Sequence, residues 1–314
     1  MLKIGVVGTG HLGKIHLQNL LELTTDFTVY GFYDTDATIS AEVERDFNLK
    51  SFDQLATLIS HVDAILVSSP THTHFSIAIQ ALKSGKHVFI EKPVCLNVEE
   101  SKRLLLYAQE AGMVVQVGHV ERFNPALLAS ISLIDNPLFI ETHRSAPFQK
   151  RGTDVSVIYD LMIHDIDIAL IMAKSNVKKI ASFGMNVLSE SIDMASVRLE
   201  FENGCVASLN ASRISQFKER KTTFYMKNAQ LDVDFLKKEA EINVLTIGSD
   251  GQQSFVRSII PVEETNAIKS ELRSFAQSIR EAKIPQVTLT DAHRALQIAD
   301  LISEQINESN PFLQ

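Results

Sequence analysis

The fold of this chain is decided by its first stretch, Leu2-Lys3-Ile4-Gly5-Val6-Val7-Gly8-Thr9-Gly10-His11-Leu12-Gly13. The first six of these residues form a short apolar run that is typical of a buried parallel strand. The next six are a G-x-G-x-x-G turn, and a helical pattern of apolar residues follows at once. A second β-rich run, 27–33, then ends on Asp34. This order of strand, glycine turn, helix, strand and acid predicts a dinucleotide-binding unit.

Each part of the motif has a physical role in holding a dinucleotide. Gly8 permits the tight turn, Gly10 lets a pyrophosphate approach the backbone, and Gly13 lets the helix pack closely on the strand. The helix N-terminus offers free N–H groups and a positive dipole end to the phosphates. Asp34, 21 residues after Gly13, is placed to accept hydrogen bonds from the ribose hydroxyls and to repel a 2′-phosphate. We therefore expect NAD as the cofactor, with NADP disfavoured; an ordinary glycine turn is the alternative.

The composition is that of a soluble globular protein rather than of a nucleic-acid-binding or membrane protein. The chain has 314 residues, of which 45% are hydrophobic and 22% charged, with a net charge of −8. This length suits two domains, and the acidic balance without a basic patch argues against nucleic acid as a partner. No signal-peptide pattern and no membrane-spanning run is present. The cysteines, Cys95 and Cys205, form no C-x-x-C motif, which fits a reduced, cytoplasmic setting.

Strands and helices keep alternating up to residue 117, which predicts a doubly wound parallel sheet, a Rossmann domain. Ligands bind such sheets at the carboxyl ends of the strands. The segments 8–13, 68–74, 91–93 and 118–125 should therefore share one rim. The candidate cofactor-binding residues are Gly8, Thr9, Gly10, His11, Leu12, Gly13, Asp34, Ser68, Ser69, Pro70, Thr71, His74, Glu91, Lys92 and Gln116.

The pattern changes near residue 125, where alternating polar and apolar runs predict a large, mostly antiparallel sheet with one open face. The predicted strands are 137–145, 177–188, 194–201, 204–213, 221–227, 230–235, 240–246 and 253–260. Helices are expected over 160–173, 266–282 and 290–307. We expect a Rossmann domain over 1–122 and an α+β domain for substrate binding and oligomerisation over 123–314, with helix 290–307 as a candidate to pack back on the first domain. An open apolar sheet face favours a homodimer or homotetramer.

Lys92 is the first candidate catalytic residue. It lies in Glu91-Lys92-Pro93, at the carboxyl end of a core strand, where an ammonium can donate a hydrogen bond to a hydroxyl or an alkoxide. The Lys92–Pro93 bond is a candidate for the cis form, because cis-proline collects in tight turns. A solvated surface lysine is the alternative.

The second candidate group lies on the helix that follows Tyr159. Asp160 and His164 are helical i, i+4 neighbours, and Asp167 comes three residues after His164, so one face carries Asp, His and Asp. A carboxylate beside an imidazole holds its tautomer and raises its basicity, as a general base requires. A metal site is a weaker interpretation, because a second ligand cluster is missing. A structural salt-bridge cluster is the other alternative.

Taken together, these motifs resemble the glucose–fructose oxidoreductase/inositol dehydrogenase family, Gfo/Idh/MocA, over nearly the whole chain. The markers are the glycine turn, the loop Ser69–His74, Glu91-Lys92-Pro93, and the spacing of Asp160, His164 and Asp167. The resemblance implies hydride transfer from a sugar carbinol to nicotinamide, with His164 taking the hydroxyl proton, Lys92 binding the same oxygen and Asp160 orienting His164. Family members usually carry glycine where this chain has Met162, which predicts a narrower pocket.

The stretch 116–125, together with 151–154 followed by 160–167, resembles a branch of the family that oxidises the 3-hydroxyl of UDP-N-acetylhexosamines for lipid A synthesis. That resemblance implies a nucleotide-sugar substrate, whose diphosphate arginine can hold by two parallel hydrogen bonds. Surface arginines are the alternative. A dehydrogenase of a free sugar or inositol and a non-catalytic nucleotide-binding regulator remain competing functions. The candidate substrate-binding residues are Lys92, His119, Arg122, Asn124, Arg144, Arg151, Asp160 and His164.

Overall fold

A computed structural model describes residues 1–149, 155–248 and 251–309. The chain divides into two compact units. The first comprises Met1–Val120 and Asn266–Arg294, and the second comprises Glu121–Thr265 and the residues from Ala295 onward. The break after Val120 lies close to the expected boundary, but the segment 266–294, which we had placed in the second domain, belongs to the first unit.

Alternating strands and helices build the first unit, as the sequence predicts. Their bounds are β1 Leu2–Val7, α1 His11–Glu22, β2 Phe27–Tyr33, α2 Ala37–Phe47, α3 Leu55–Ser60, β3 Ala64–Val67, α4 Thr71–Lys83, β4 His87–Glu91, α5 Val98–Ala111 and β5 Val115–Gly118. Local sequence sets the helix ends. Helix α5, for example, begins where the Asn97 side chain accepts the N–H of Glu100, and it ends at Gly112, whose φ of 63° is left-handed.

The strands of the first unit form a five-stranded parallel sheet in the order β2-β1-β3-β4-β5. The order reverses between β1 and β3, which is the switch point where such sheets bind ligands. Val7 is aligned with Val67, and Val67 with Ile90, so the strands end side by side. The segments 8–13, 68–74 and 91–93, which follow these strands, therefore share one rim, as predicted.

The helix that follows residue 266 explains the difference in the domain boundary. Helix α8, Ala267–Arg280, buries Leu272, Phe275 and Ala276 in the same apolar cluster as residues of β1 and α1. Its apolar face therefore completes the core of the first unit, although about 150 residues separate it from β5. Helix α9, Leu289–Ser309, contributes its residues up to Arg294 to the first unit and those from Ala295 to the second.

The second unit contains the large sheet. Its bounds are α6 Pro125–Ser130, β6 Phe139–Ser145, α7 Ile163–Ala173, β7 Val177–Met185, β8 Met194–Phe201, β9 Val206–Ser212, β10 Glu219–Met226, β11 Ala229–Asp234, β12 Glu239–Ile247 and β13 Gln253–Ile260. Within the described residues the sheet has eight strands in the order β13-β12-β11-β10-β6-β9-β8-β7. All pairs are antiparallel except β6 with β9, which confirms the mostly antiparallel sheet. Helix α7, α6 and the second part of α9 pack in the core beside it.

The helix expected over 160–173 has a different start. Ile158–Met162 forms a π-helical turn, and the regular α-helix α7 begins at Ile163. The two segments bury apolar side chains in the core of the second unit. Such turns insert an extra residue into the helical register and occur frequently at functional sites. Asp160 lies inside the π-turn, so simple i, i+4 geometry does not describe its relation to His164.

Candidate active site

The three glycines of the turn have different surroundings. Gly8 has a φ of +83°, and a Cβ built there would lie 2.4 Å from Cα of Ser69. A Cβ on Gly13 would lie 2.1 Å from the carbonyl oxygen of Gly8. At Gly10, by contrast, a Cβ would meet no atom of the described residues within 4 Å. Gly8 and Gly13 are therefore required by the fold, whereas the space over Gly10 fits the passage of a ligand at the N-terminus of α1.

Asp34 lies at the end of β2 beside this turn. Its Oδ2 accepts hydrogen bonds from the backbone N–H of Thr9 at 2.6 Å and from the Thr9 hydroxyl at 3.0 Å. Its Oδ1 accepts the N–H of Asp36 at 3.0 Å. An open cavity of about 450 Å³ adjoins Asp34 and includes Thr35 and Ser40 in its lining. The carboxylate keeps further acceptor capacity, so the site fits the ribose of a dinucleotide.

The loop after β3 braces the glycine turn. The hydroxyl of Ser68 donates to the carbonyl of Gly8 at 2.8 Å. Pro70 and Thr71 form the start of α4. We had expected His74 to contact the cofactor, but its side chain is buried, with its ring nitrogens 2.8 and 3.0 Å from backbone carbonyl oxygens of Ser69 and Pro93. Burial lowers the pKa of His74. It therefore ties two rim segments together instead of reaching a ligand.

Glu91 and Lys92 end the central strand β4. Lys92 is half-buried, and the Lys92–Pro93 bond is cis, as predicted. Glu91 is buried; its Oε1 lies 2.6 Å from Nε2 of His16, and its Oε2 accepts the N–H of Lys92 at 3.2 Å. A Cβ on Gly118 would approach the Glu91 carboxylate within 3 Å. Glu91 is thus a structural support for the backbone of Lys92, held by α1, rather than a surface for the cofactor.

The side chain of Gln116 is also enclosed, which corrects its assignment to the cofactor. Its Nε2 donates to the backbone carbonyl of Glu271 on α8 at 2.9 Å. The Glu271 carboxyl is fully buried, and within the described part of the chain neither of its oxygens has a hydrogen-bond partner. Burial, and then the nearby negative charge of Glu91, raise the pKa of Glu271 well above its ordinary value. Its surroundings therefore favour the protonated form of the Glu271 carboxyl.

His164 lies on the first turn of α7 in the second unit. It is half-buried, and Asp160 in the preceding π-turn is exposed. The hydroxyl of Tyr159 donates to Asp300 at 2.6 Å and holds the π-turn on α9.

Met162 is fully buried in the core, so it does not narrow a pocket as we had expected. In the described ranges, no group of three His, Cys, Asp or Glu side chains could hold a metal ion.

The two arginines that we had assigned to a diphosphate are buried in ion pairs. Arg122 donates from Nε to Asp167 at 2.7 Å. Arg144 donates from Nε and Nη2 to Asp165 at 2.9 Å, and from Nη1 to Glu121 at 2.8 Å. Both arginines and both aspartates are buried. The diphosphate assignment is therefore wrong for Arg122 and Arg144, and the salt-bridge alternative is correct for Asp167.

The ion pairs also affect the pKa values of Arg144 and Asp165. Although burial disfavours a charged guanidinium, Asp165 and Glu121 raise the pKa of Arg144 above its ordinary value. Burial raises the pKa of Asp165, and Arg144 opposes that shift. Two nitrogens of Arg144 on its carboxylate favour the ionised form of Asp165 and oppose the effect of burial.

The remaining substrate candidates differ in their accessibility. Asn124 is buried, caps α6 by accepting the N–H of Ala126 at 3.1 Å, and donates to the carbonyl of Phe235 at 3.0 Å. It is therefore a capping residue, which corrects its assignment. His119 is buried as well. Arg151 lies outside the described residues.

Comparison with known proteins places these features in one family. The profile of the oxidoreductase family with an NAD-binding Rossmann fold, Gfo/Idh/MocA, matches residues 2–119. The profile of the Gfo/Idh/MocA C-terminal domain matches residues 134–232. The chain belongs to the Gfo/Idh/MocA oxidoreductase family. It is accordingly a dehydrogenase acting on CH–OH groups, and its cofactor is NAD.

Individual relatives are similar over most of their length. UDP-N-acetylglucosamine 3-dehydrogenase of Acidithiobacillus ferrooxidans is 32% identical over 280 residues, which are 88% of each chain. A solved structure of that enzyme has a TM-score of 0.92 and covers 100% of this chain and 99% of its own. The NAD⁺-linked scyllo-inositol 2-dehydrogenase of Bacillus subtilis is 26% identical and covers 99% of this chain and 95% of its own. Levoglucosan dehydrogenase in complex with NADH, at 19% identity and a TM-score of 0.87, shares the fold.

Two buried acids of these sites, Glu271 and Asp165, were missed by sequence reasoning. Asp165 directly follows His164, so its place on the same helix was readable. Glu271 gave no signal, because a single glutamate on an amphipathic helix is normally solvated.

Proposed function

We propose that the protein oxidises the 3-hydroxyl of a UDP-N-acetylhexosamine to a ketone. The observation that carries the proposal is the combined likeness to UDP-N-acetylglucosamine 3-dehydrogenase, at 32% identity over 88% of both chains and a TM-score of 0.92 over the full chain. Bound NAD supplies the hydride acceptor. The open space over Gly10 and the Asp34 carboxylate are features that suit the binding of its pyrophosphate and ribose.

His164 is the proposed general base. A half-buried imidazole on the first turn of a helix is accessible to a substrate hydroxyl, and histidine is the side chain most often used as a general base. Lys92 is proposed to donate a hydrogen bond to the same oxygen and to stabilise the negative charge that develops there. Asp160 is proposed to orient His164 or a neighbouring substrate hydroxyl.

Recognition of the nucleotide is proposed to involve Arg151. Arg122 and Arg144 are occupied by carboxylates of the protein, which leaves Arg151 as the arginine of the original set that remains a candidate for the diphosphate. A guanidinium matches the geometry of phosphate oxygens through two parallel hydrogen bonds.

Variants of the two proposed catalytic residues test the chemistry. His164→Asn should lower kcat for UDP-N-acetylglucosamine oxidation by about 10²–10⁴-fold and leave the Kd for NAD unchanged, because a positioned base contributes about that much. Lys92→Met should have a comparable effect. In a double variant the losses should be far from additive, since both groups act on one oxygen.

Matched controls use residues of the same type. Lys86→Met changes a half-buried lysine that immediately precedes β4, whereas Lys92 immediately follows it. His143→Asn changes an exposed histidine on β6. Both should keep wild-type kcat. If His164→Asn and Lys92→Met also kept it, catalysis by these two residues would be excluded.

A second candidate is the oxidation of inositol. It is favoured by the likeness to scyllo-inositol 2-dehydrogenase over 99% of this chain. This function would use the same residues for proton transfer, but it would not need a diphosphate-binding arginine. Arg151→Ala would then leave the KM for the sugar substrate unchanged.

We also propose that the protein is a homo-oligomer through the large sheet. The edge strand β13 exposes Phe255 and Ile259, at 70% and 78% of their surface. A second copy of this chain would cover these side chains. Phe255→Glu with Ile259→Glu should lower the molar mass measured by light scattering to that of a single chain; an unchanged mass would refute this interface.

A further inference from the structure

A buried charge cluster surrounds the helix that carries His164. We define it by three acids and three arginines of the second unit: Glu121, Asp165, Asp167, Arg122, Arg144 and Arg220. Arg122 binds Asp167, Arg144 binds both Asp165 and Glu121, and Arg220 donates to Glu121 at 3.3 Å. All but Arg220 are buried. The six charges balance, and the contacts link α7 to β6, to β10 and to the first residues of the second unit.

The two aspartates fix α7 on both sides of His164. An α-helix turns about 100° per residue, so Asp165 projects about 100° to one side of His164. Asp167 projects about 60° to the other side. Each carboxylate is held by an arginine through two nitrogen contacts, Arg144 on Asp165 and Arg122 on Asp167. Rotation of the helix in either direction would stretch one of these pairs, so the direction of the imidazole is set.

Stability alone gives a poor account of such a cluster. Removing five charged side chains from water carries a large desolvation cost, and apolar side chains of similar volume often stabilise a protein as well or better. The surrounding core is apolar, and the ring of Phe235 lies 6.0 Å from the Arg144 guanidinium. The directional, two-point geometry of arginine with carboxylate offers what apolar packing lacks, namely a defined orientation.

We propose that the Arg122–Asp167 and Arg144–Asp165 pairs are positioning residues, which hold the His164 imidazole in its productive direction. This inference rests on the proposed role of His164 as the base. The pairs contact neither substrate nor cofactor in this account; they act through the orientation of α7. A displacement of a reacting group by about 1 Å can lower a rate on the order of 100-fold.

The test replaces one pair by apolar residues and separates orientation from stability. Arg122→Met with Asp167→Leu removes both opposite charges of the pair together, so the urea midpoint should stay near that of the wild type. The kcat for UDP-N-acetylglucosamine oxidation should nevertheless fall about 10- to 100-fold, with the Kd for NAD unchanged. The pH profile of kcat should shift, because the surroundings of His164 change. Arg122→Lys, which keeps the charge but loses the two-point contact, should give an intermediate kcat.

The control is an exposed ion pair of the same unit, Arg198 with Glu200 on β8. Its replacement by Met and Leu should change neither kcat nor the pH profile. Wild-type kcat and pH profile in a folded Arg122→Met/Asp167→Leu variant would overturn the proposal. If that variant does not fold, Arg122→Lys decides the question by the same readouts.

A second readout does not depend on turnover. The imidazole resonances of His164, assigned by comparison with His164→Gln, should move in NMR spectra of the double variant and stay unchanged in the control. If the wild-type protein oxidises no sugar, the proposed function fails, while the NMR comparison still decides whether the pairs position His164. Unchanged His164 resonances in the double variant would refute the positioning role.

Discussion

Substitution of Gly10 by alanine should separate cofactor binding from folding. The backbone at Gly10 has φ −62° and ψ −159°, an extended conformation that alanine adopts. Among the residues that the structure describes, the added methyl group would meet no atom within 4 Å. The fold should therefore tolerate the change. Because alanine restricts the unfolded chain, stability should stay the same or rise by about 0.4–1 kcal/mol.

NAD binding should respond in the opposite way. In the proposed complex the pyrophosphate passes over Gly10, and a methyl group there would force a displacement. Overpacking of one methyl group costs about 1–3 kcal/mol, which corresponds to an affinity about 5- to 150-fold lower. Isothermal titration calorimetry with NAD measures the loss, and a urea melt of the same sample measures the stability.

Gly13→Ala is the matched control in the same turn. Its Cβ would lie 2.1 Å from the carbonyl oxygen of Gly8, so the backbone must shift, and the free energy of unfolding should fall by about 3 kcal/mol or more. The reasoning would be refuted if Gly10→Ala bound NAD as tightly as the wild type. It would also be refuted if Gly13→Ala were as stable as Gly10→Ala.

Three further predictions concern charge. Asp34→Ala should weaken NAD binding and lower the preference for NAD over NADP about 10-fold or more, measured as the ratio of the two Kd values; an unchanged ratio would place the preference elsewhere. Burial, with Glu91, raises the pKa of Glu271, so the folded protein keeps a proton that the unfolded chain releases above about pH 4.3. The stability of the wild type therefore falls as the pH rises from there toward the raised pKa. The free energy of unfolding of Glu271→Gln relative to the wild type, from urea melts, should therefore increase as the pH rises above about 4.3; equal slopes would contradict this. Arg151→Ala should raise the KM for the UDP-sugar much more than the KM for NAD; equal effects on both would exclude a diphosphate contact.

Much of the first unit was predictable because its signals are local. The glycine turn, the strand that precedes it and the acid at the end of β2 lie within 34 residues, and each has a conformation or charge that the ligand requires. The alternation of strands and helices then gave the parallel sheet and its rim. The packing of α8 on this unit was not predictable, because an amphipathic helix reveals its apolar face but not the partner of that face.

The charge partners of the second unit could not be read from sequence. Arg122 and Asp167 are 45 residues apart, and Arg144 reaches both Asp165 and Glu121 only after β6, α7 and the start of the unit have packed together. A lone arginine has the same appearance in sequence whether it binds a phosphate or a buried carboxylate. The π-helical turn at Ile158–Met162 changed the predicted face of Asp160 for a similar reason, since periodicity assumes a regular helix.

The central claim is tested most directly by the absorbance of reduced nicotinamide at 340 nm. Purified protein would be mixed with NAD and either UDP-N-acetylglucosamine, glucose or inositol, with a carbonyl trap to draw the reaction toward the ketone. The account predicts a rise with the UDP-sugar that is absent from the other two and is lost in His164→Asn. A rise with inositol or glucose alone would contradict the nucleotide-sugar assignment.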